Sequence, residues 1–191
     1  MENQENYTKE KLTIDLVWAN IFGVIILIPI VLMYGLPYFL IWKDEFQFSD
    51  FSLIHFIGKF WLVFAFIIAG VVAHELIHGI VWAKYAKNGF RSIKFGVMWK
   101  MLTPYCHCIE PLKVSQYIIG AIMPSIILGL IPAILAIITG NFLLLVFGIF
   151  FTMAACGDFL TIYALRNEKM DYLVEDHPSE AGCFVYRPIE N

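Results

Sequence analysis

The stretch "VVAHELIHGIVWAKYAK", residues 71–87, closes a long apolar run and decides how the chain must fold. It sets His74, Glu75 and His78 inside a segment, Ile57 to Ala83, that is otherwise apolar enough to cross a bilayer, which takes about 20 such residues as a helix. Outward from it, Leu16 to Trp42, Tyr117 to Thr139 and Phe142 to Leu165 qualify by the same measure. The whole chain agrees: 60% of its 191 residues are hydrophobic and 15% charged, and the mean hydropathy is +0.73, far more apolar than a soluble domain. These features predict an all-α polytopic membrane protein with residues 1–191 as a single integral membrane domain. Its spans fall at about 16–42, 57–83, 117–139 and 142–165, with a polar N-tail over 1–15 and a polar C-tail over 166–191.

Between the second and third spans lies "KNGFRSIKFGVMWKMLTPYCHCIEPLKVSQ", residues 87–116. Asn88-Gly89 marks a turn, and the β-branched and aromatic residues after it partly alternate, which predicts a short β-hairpin-like segment, cytoplasmic or re-entrant. The third and fourth spans are joined by a tight Gly140-Asn141 turn. The first tail, "MENQENYTKEKLTID", lacks the basic, apolar and cleavage regions of a signal peptide, so the first span is expected to stay in the mature protein. A formal net charge of −3 argues against a nucleic-acid partner. The four cysteines have no disulfide-framework spacing and are expected to be reduced.

Lysine and arginine near span ends set orientation. Lys9 and Lys11 lie in the N-tail, Lys84, Lys87, Arg91, Lys94, Lys100 and Lys113 in the central loop, and Arg166, Lys169 and Arg187 in the C-tail. Only Lys43 and Lys59 lie on the other side, and together these are all 13 cations of the chain. The expectation is a multi-pass protein of the cell membrane with both termini cytoplasmic.

On a helix, residues four apart share a face, so His74 and His78 can offer nitrogens to one ion while Glu75 stands at its edge. H-E-x-x-H in this form supplies two zinc ligands and a general base. The plainer alternative is a set of interhelical hydrogen bonds, but ionisable groups inside a span are costly and usually mark a site. A third ligand is needed, and Asp158 is the only charged residue between Asn141 and Arg166. Counted inward from Lys84 and Arg166 at about 1.5 Å per residue, His78 lies ~9 Å deep, Asp158 ~12 Å and His74 ~15 Å. A common ligand belongs at that intermediate depth. The alternative for Asp158 is a bond to Thr161 or to a backbone carbonyl, and a His₂-carboxylate set also suits iron or another divalent ion.

Together, "HELIH" at 74–78, "FRSIKFGVMW" from residue 90, "GAIMP" at 120–124 and "CGDF" at 156–159 resemble the parts of intramembrane zinc metalloproteases of the site-2 protease type. More closely, nearly the whole chain, from Val17 to "DHPSEAGCFVYRP", resembles the small bacterial four-span zincin peptidases, formerly a domain of unknown function. Two departures from the site-2 pattern stand out: Gly157-Asp158 reverses its Asp-Gly pair, and no extracytoplasmic peptide-binding domain is expected within residues 1–191. The resemblance implies one Zn²⁺ per chain bound by His74, His78 and Asp158, with Glu75 catalytic. It also implies hydrolysis of a peptide bond near the cytoplasmic side of the membrane, in a peptide or membrane-protein substrate. Two other readings are a non-catalytic membrane adaptor stapled by the same zinc and a metal transporter. The outer halves of the spans lack the further ligands that a transporter needs.

Several remaining features carry weaker signals. Cys106, His107 and Cys108 lack an obvious fourth ligand, so a structural role is expected, with Tyr105, His107 or Glu110 at the mouth of the site. Pro124 and Pro132 could open a water path to that site. Asp176, His177 and Glu180 read as a solvated, turn-forming face. Cys156 should point away from the ion, and Trp18, Trp42, Trp61 and Trp82 should anchor span ends in the interface.

Overall fold

The computed structural model describes residues 7–45, 53–99, 103–177 and 180–189. The first six residues, Lys100 and Pro178-Ser179, which enter the expectations above, lie outside this set. The helices are α1 (Leu16–Trp42), α2 (Leu53–Ala83), α3 (Val114–Pro124), α4 (Ile131–Thr139), α5 (Phe142–Ala154) and α6 (Cys156–Ala164). A π-helical turn, Ser125–Leu130, joins α3 to α4 without leaving the helix axis. Among the described residues, four stretches are long and apolar enough to cross a membrane: Val17–Trp42, Phe64–Ala83, Val114–Thr139 and Phe142–Ala164. Outward-facing residues such as Val24, Ile28, Trp61, Ile138 and Leu143 are more than half exposed, as a lipid-facing surface requires.

The helix ends follow local chemistry. Asp15 caps α1 by accepting from the Trp18 amide at 2.9 Å. Gly140 takes φ +70° to close α4, and Asn141 caps α5 through the Leu144 amide. Gly148 and Gly129 bring α5 against the third span, since a Cβ on Gly148 would lie 2.8 Å from the Gly129 carbonyl oxygen.

The chain is not purely all-α. A hairpin of β2 (Ile93–Met98) and β3 (Thr103–Cys108) follows α2, as the central loop predicts. A four-stranded antiparallel sheet in the order β1-β6-β5-β4 joins the tails. Its strands are β1 (Tyr7–Thr13), β4 (Leu112–Lys113), β5 (Leu173–Asp176) and β6 (Gly182–Pro188). Each of these four strands is short, and while β5 and β6 pair locally, β1 and β4 find their partners far away in sequence, so no local period announces the sheet. Pairing places Leu112, Val174 and Val185 side by side across three strands, at 2%, 0% and 0% exposure. That row caps a core of Trp82, Val114, Tyr117 and Leu165 at one end of the helices. A second core, with Ile30, Tyr34, Tyr38, Ala133, Ala136 and Leu145, fills the other end.

The two tails and the central loop are therefore hydrogen-bonded into one cap on one side of the four spans. The cation count groups these same three segments.

Candidate metal centre

His74 and His78 stand one turn apart on α2, both buried, with ring centroids 4.9 Å apart. The fourth span breaks at Ala155, where ψ of 11° ends α5, and restarts as α6 with Asp158 in its first turn. The restart lets the carboxylate reach across to α2. Asp158 Oδ2 lies 3.2 Å from His74 Nε2, and Oδ1 lies 3.3 Å from His78 Nε2. Thr161 instead donates to the Gly157 carbonyl, so the Asp158–Thr161 pairing does not form.

His78 Nδ1 lies 2.9 Å from the Gly120 carbonyl, which can only accept, so this nitrogen carries the proton. Nε2 then faces a carboxylate oxygen, a contact that either a proton on Nε2 or a metal ion between the two atoms satisfies. His74 Nδ1 is buried with no hydrogen-bond partner among the described residues. All three ligand atoms lie within 4.8 Å of one another. Two imidazoles and one carboxylate form a donor set that suits zinc with a position left open, and a histidine fixed by a carbonyl on its other nitrogen is the usual support for it.

The group opens on a cavity of about 430 Å³. Half-buried Glu75 lines it beside the two histidines, while Tyr105 and His107 of β3 and Asp176 and Glu180 of the tail form the facing wall. Burial and the nearby His177 push the His107 imidazole below its ordinary pKa, so it is neutral at pH 7.

Tyr105 and His107 thus meet the expectation for the mouth of the site. Glu110 does not: it accepts from the Lys87 amide at 2.7 Å and from Asn88, and so ties down the turn after α2. Pro124 and Pro132 line no part of the cavity, to which the third span contributes Tyr117. Cys106 and Cys108 are buried in the core with Cys183, and all four cysteines are free. Burial pushes the Cys108 thiol up to about 11 and the Cys183 thiol up to about 12, which keeps both protonated. Cys156 packs towards Gly23 of α1, away from the ligand group.

Two further expectations are corrected. Asp176 and His177 do not lie on a solvated face, whereas Glu180 does: His177 is buried, and Asp176 accepts from Tyr117 Oη–H at 2.5 Å and the Cys108 amide at 2.8 Å. The apolar run "GCFVYRP" that follows was the available signal for a strand folding back on a core. Trp82 is 4% exposed and is no interfacial anchor, because it stacks on His78 at 5.0 Å and on Tyr117 at 5.1 Å.

Residues 67–173, more than half of the chain, match the family model described as "Putative zincin peptidase". No curated protein matches the chain. No solved structure matches it either.

Proposed function

The chain belongs to that zincin peptidase family, and from this premise we propose that it is an intramembrane zinc metallopeptidase. It cleaves a membrane-embedded or juxtamembrane peptide bond near the cytoplasmic side of the bilayer. The observation that carries this reading is the convergence of two imidazoles and a carboxylate beside Glu75 in one cavity. His74 Nε2, His78 Nε2 and an Asp158 oxygen hold one Zn²⁺ per chain. Bound there, zinc supplies a Lewis acid that polarises a carbonyl and brings the pKa of a water near 7. Glu75 takes the proton of the attacking water on its carboxylate and passes it to the departing amine nitrogen. Tyr105 and His107 of β3 line the same cavity, and in this reading they supply the donors to the oxygen on which negative charge develops. The cytoplasmic orientation rests on the 11-to-2 division of cations drawn above.

The test compares the wild type, Glu75→Gln and Asp158→Ala in proteoliposomes containing quenched transmembrane peptides. Glu75→Gln should keep its zinc, measured by elemental analysis, and lose at least about 100-fold in turnover, the low end for general base catalysis. Asp158→Ala should lose the zinc. Because the ligand group also bridges α2 and α6, a purely structural metal is the second reading. It predicts undiminished behaviour for Glu75→Gln and unfolding of His74→Ala, and that pair of results would displace the peptidase reading.

A further inference from the structure

We infer that Asp176, on the C-terminal strand β5, is a positioning residue for the metal ligand His78, acting through Tyr117 and Trp82. The inference rests on the assignment of His78 as a ligand, and it concerns a residue three positions beyond the stretch that the family model matches. The connection is continuous, and beyond half-buried Asp176 its members are buried. Asp176 Oδ1 accepts from Tyr117 Oη–H at 2.5 Å. The Tyr117 ring stacks on Trp82 with 18° between planes, and its carbonyl accepts the indole N–H at 3.1 Å. Trp82 in turn stacks on His78 with 17° between planes. One turn along α3 from Tyr117, the Gly120 carbonyl takes the His78 Nδ1 proton. Both supports of the imidazole, the stacked face and the fixed nitrogen, therefore depend on where the first turn of α3 sits.

Two details show why these residue types are needed. A Cβ on residue 120 would come within 1.9 Å of Trp82 Nε1, so glycine is what lets the indole lie flat between the imidazole and the phenol. Asp176 Oδ2 meanwhile accepts from the Cys108 amide at 2.8 Å. Two donors point at its two oxygens, and an asparagine would turn an NH₂ group towards one of them. The carboxylate thus locks β3, β5 and α3 together at the cavity wall and transmits the position of the tail to His78.

The full-length protein, stripped of metal in detergent and reloaded with Co²⁺, gives the test through its visible d–d bands and its chelator-competition Kd. Wild type should show bands that His78→Ala abolishes. Tyr117→Phe, which keeps the ring and drops one hydroxyl, and Asp176→Asn should each weaken Co²⁺ binding about tenfold, the low end for residues that orient a metal ligand. Both should alter the bands, and the double variant should lose no more than either single one. Val185→Ala, in the same core but outside the relay, should lower the melting temperature and leave the bands unchanged. Wild-type bands and Kd in Tyr117→Phe would overturn the inference alone, as would a change equal to that in Val185→Ala. Absence of bands in the wild type would overturn the ligand assignment and the inference with it. If Asp176→Asn does not fold, Tyr117→Phe still decides.

Discussion

At the scale of single residues, the bilayer makes every titratable side chain costly. His74, Glu75, His78 and Asp158 stand out because a titratable group in lipid needs a reason, and depth alone paired the carboxylate with the imidazoles. Asp176 and Trp82 escaped for the complementary reason: acids are cheap in a tail, and tryptophan is ordinary at a span end, until a sheet buries one and a glycine gap admits the other. Burial holds the Asp176 carboxyl up at about 6, with the Tyr117 hydroxyl partly opposing the rise. Its unfolded value is about 3.9, so the native state binds this proton more tightly than the unfolded chain. Stability from this group is complete below about pH 4 and is lost as pH rises through about 6, by roughly 2–3 kcal/mol. In metal-free protein, the wild-type melting temperature should fall relative to that of Asp176→Asn between pH 4 and 7. Parallel curves would show that the carboxyl is not held in its acid form.

At the scale of elements, the helices could be read because each is specified by its own residues. Length and hydropathy set them, and Gly140-Asn141 closes a turn in place. Strands β1, β5 and β6 are specified by one another, which is why the tails read as polar and unstructured. The sheet also depends on polar partners that sequence distance conceals. Arg187 on β6 donates through Nε at 2.9 Å and Nη2 at 2.6 Å to Glu168, just after α6, and through Nη1 to Glu10 on β1. Arg187→Ala should cost about 1 kcal/mol, more than an isolated exposed pair because the Glu168 side chain is 8% exposed. Urea denaturation monitored by far-UV circular dichroism would measure it. Protein indistinguishable from wild type would mean that this network is mere surface charge.

At the scale of the whole molecule, orientation and site location are one question, because the cap and the ligand group share a side. Single cysteines placed at residues 9, 87 and 169 should all react with a membrane-impermeant maleimide only after inside-out vesicles are prepared. A cysteine at residue 43 should react in right-side-out vesicles. Any split among the first three would contradict the shared cap. What sequence withheld at this scale is the part of the wall that the two tails supply, because Ile14, Asp176 and Glu180 come from opposite ends of the chain.

The pairing of Tyr7 with Pro188 sets an order of events during synthesis. The strand made first waits, unpaired, while four spans are inserted, because its partner does not exist until residue 188 has left the ribosome. Loop closure over that separation is among the slowest kinds of contact to form. Helices α2 and α6 can bring His74, His78 and Asp158 together earlier, but the wall that carries Asp176 arrives last. A nascent chain would thus hold an open group of candidate ligands, without the wall that carries Asp176, until β5 has been made and paired with β6. On the peptidase reading proposed above, hydrolysis would wait on that pairing, which would spare the unpaired segments while they lie beside the site.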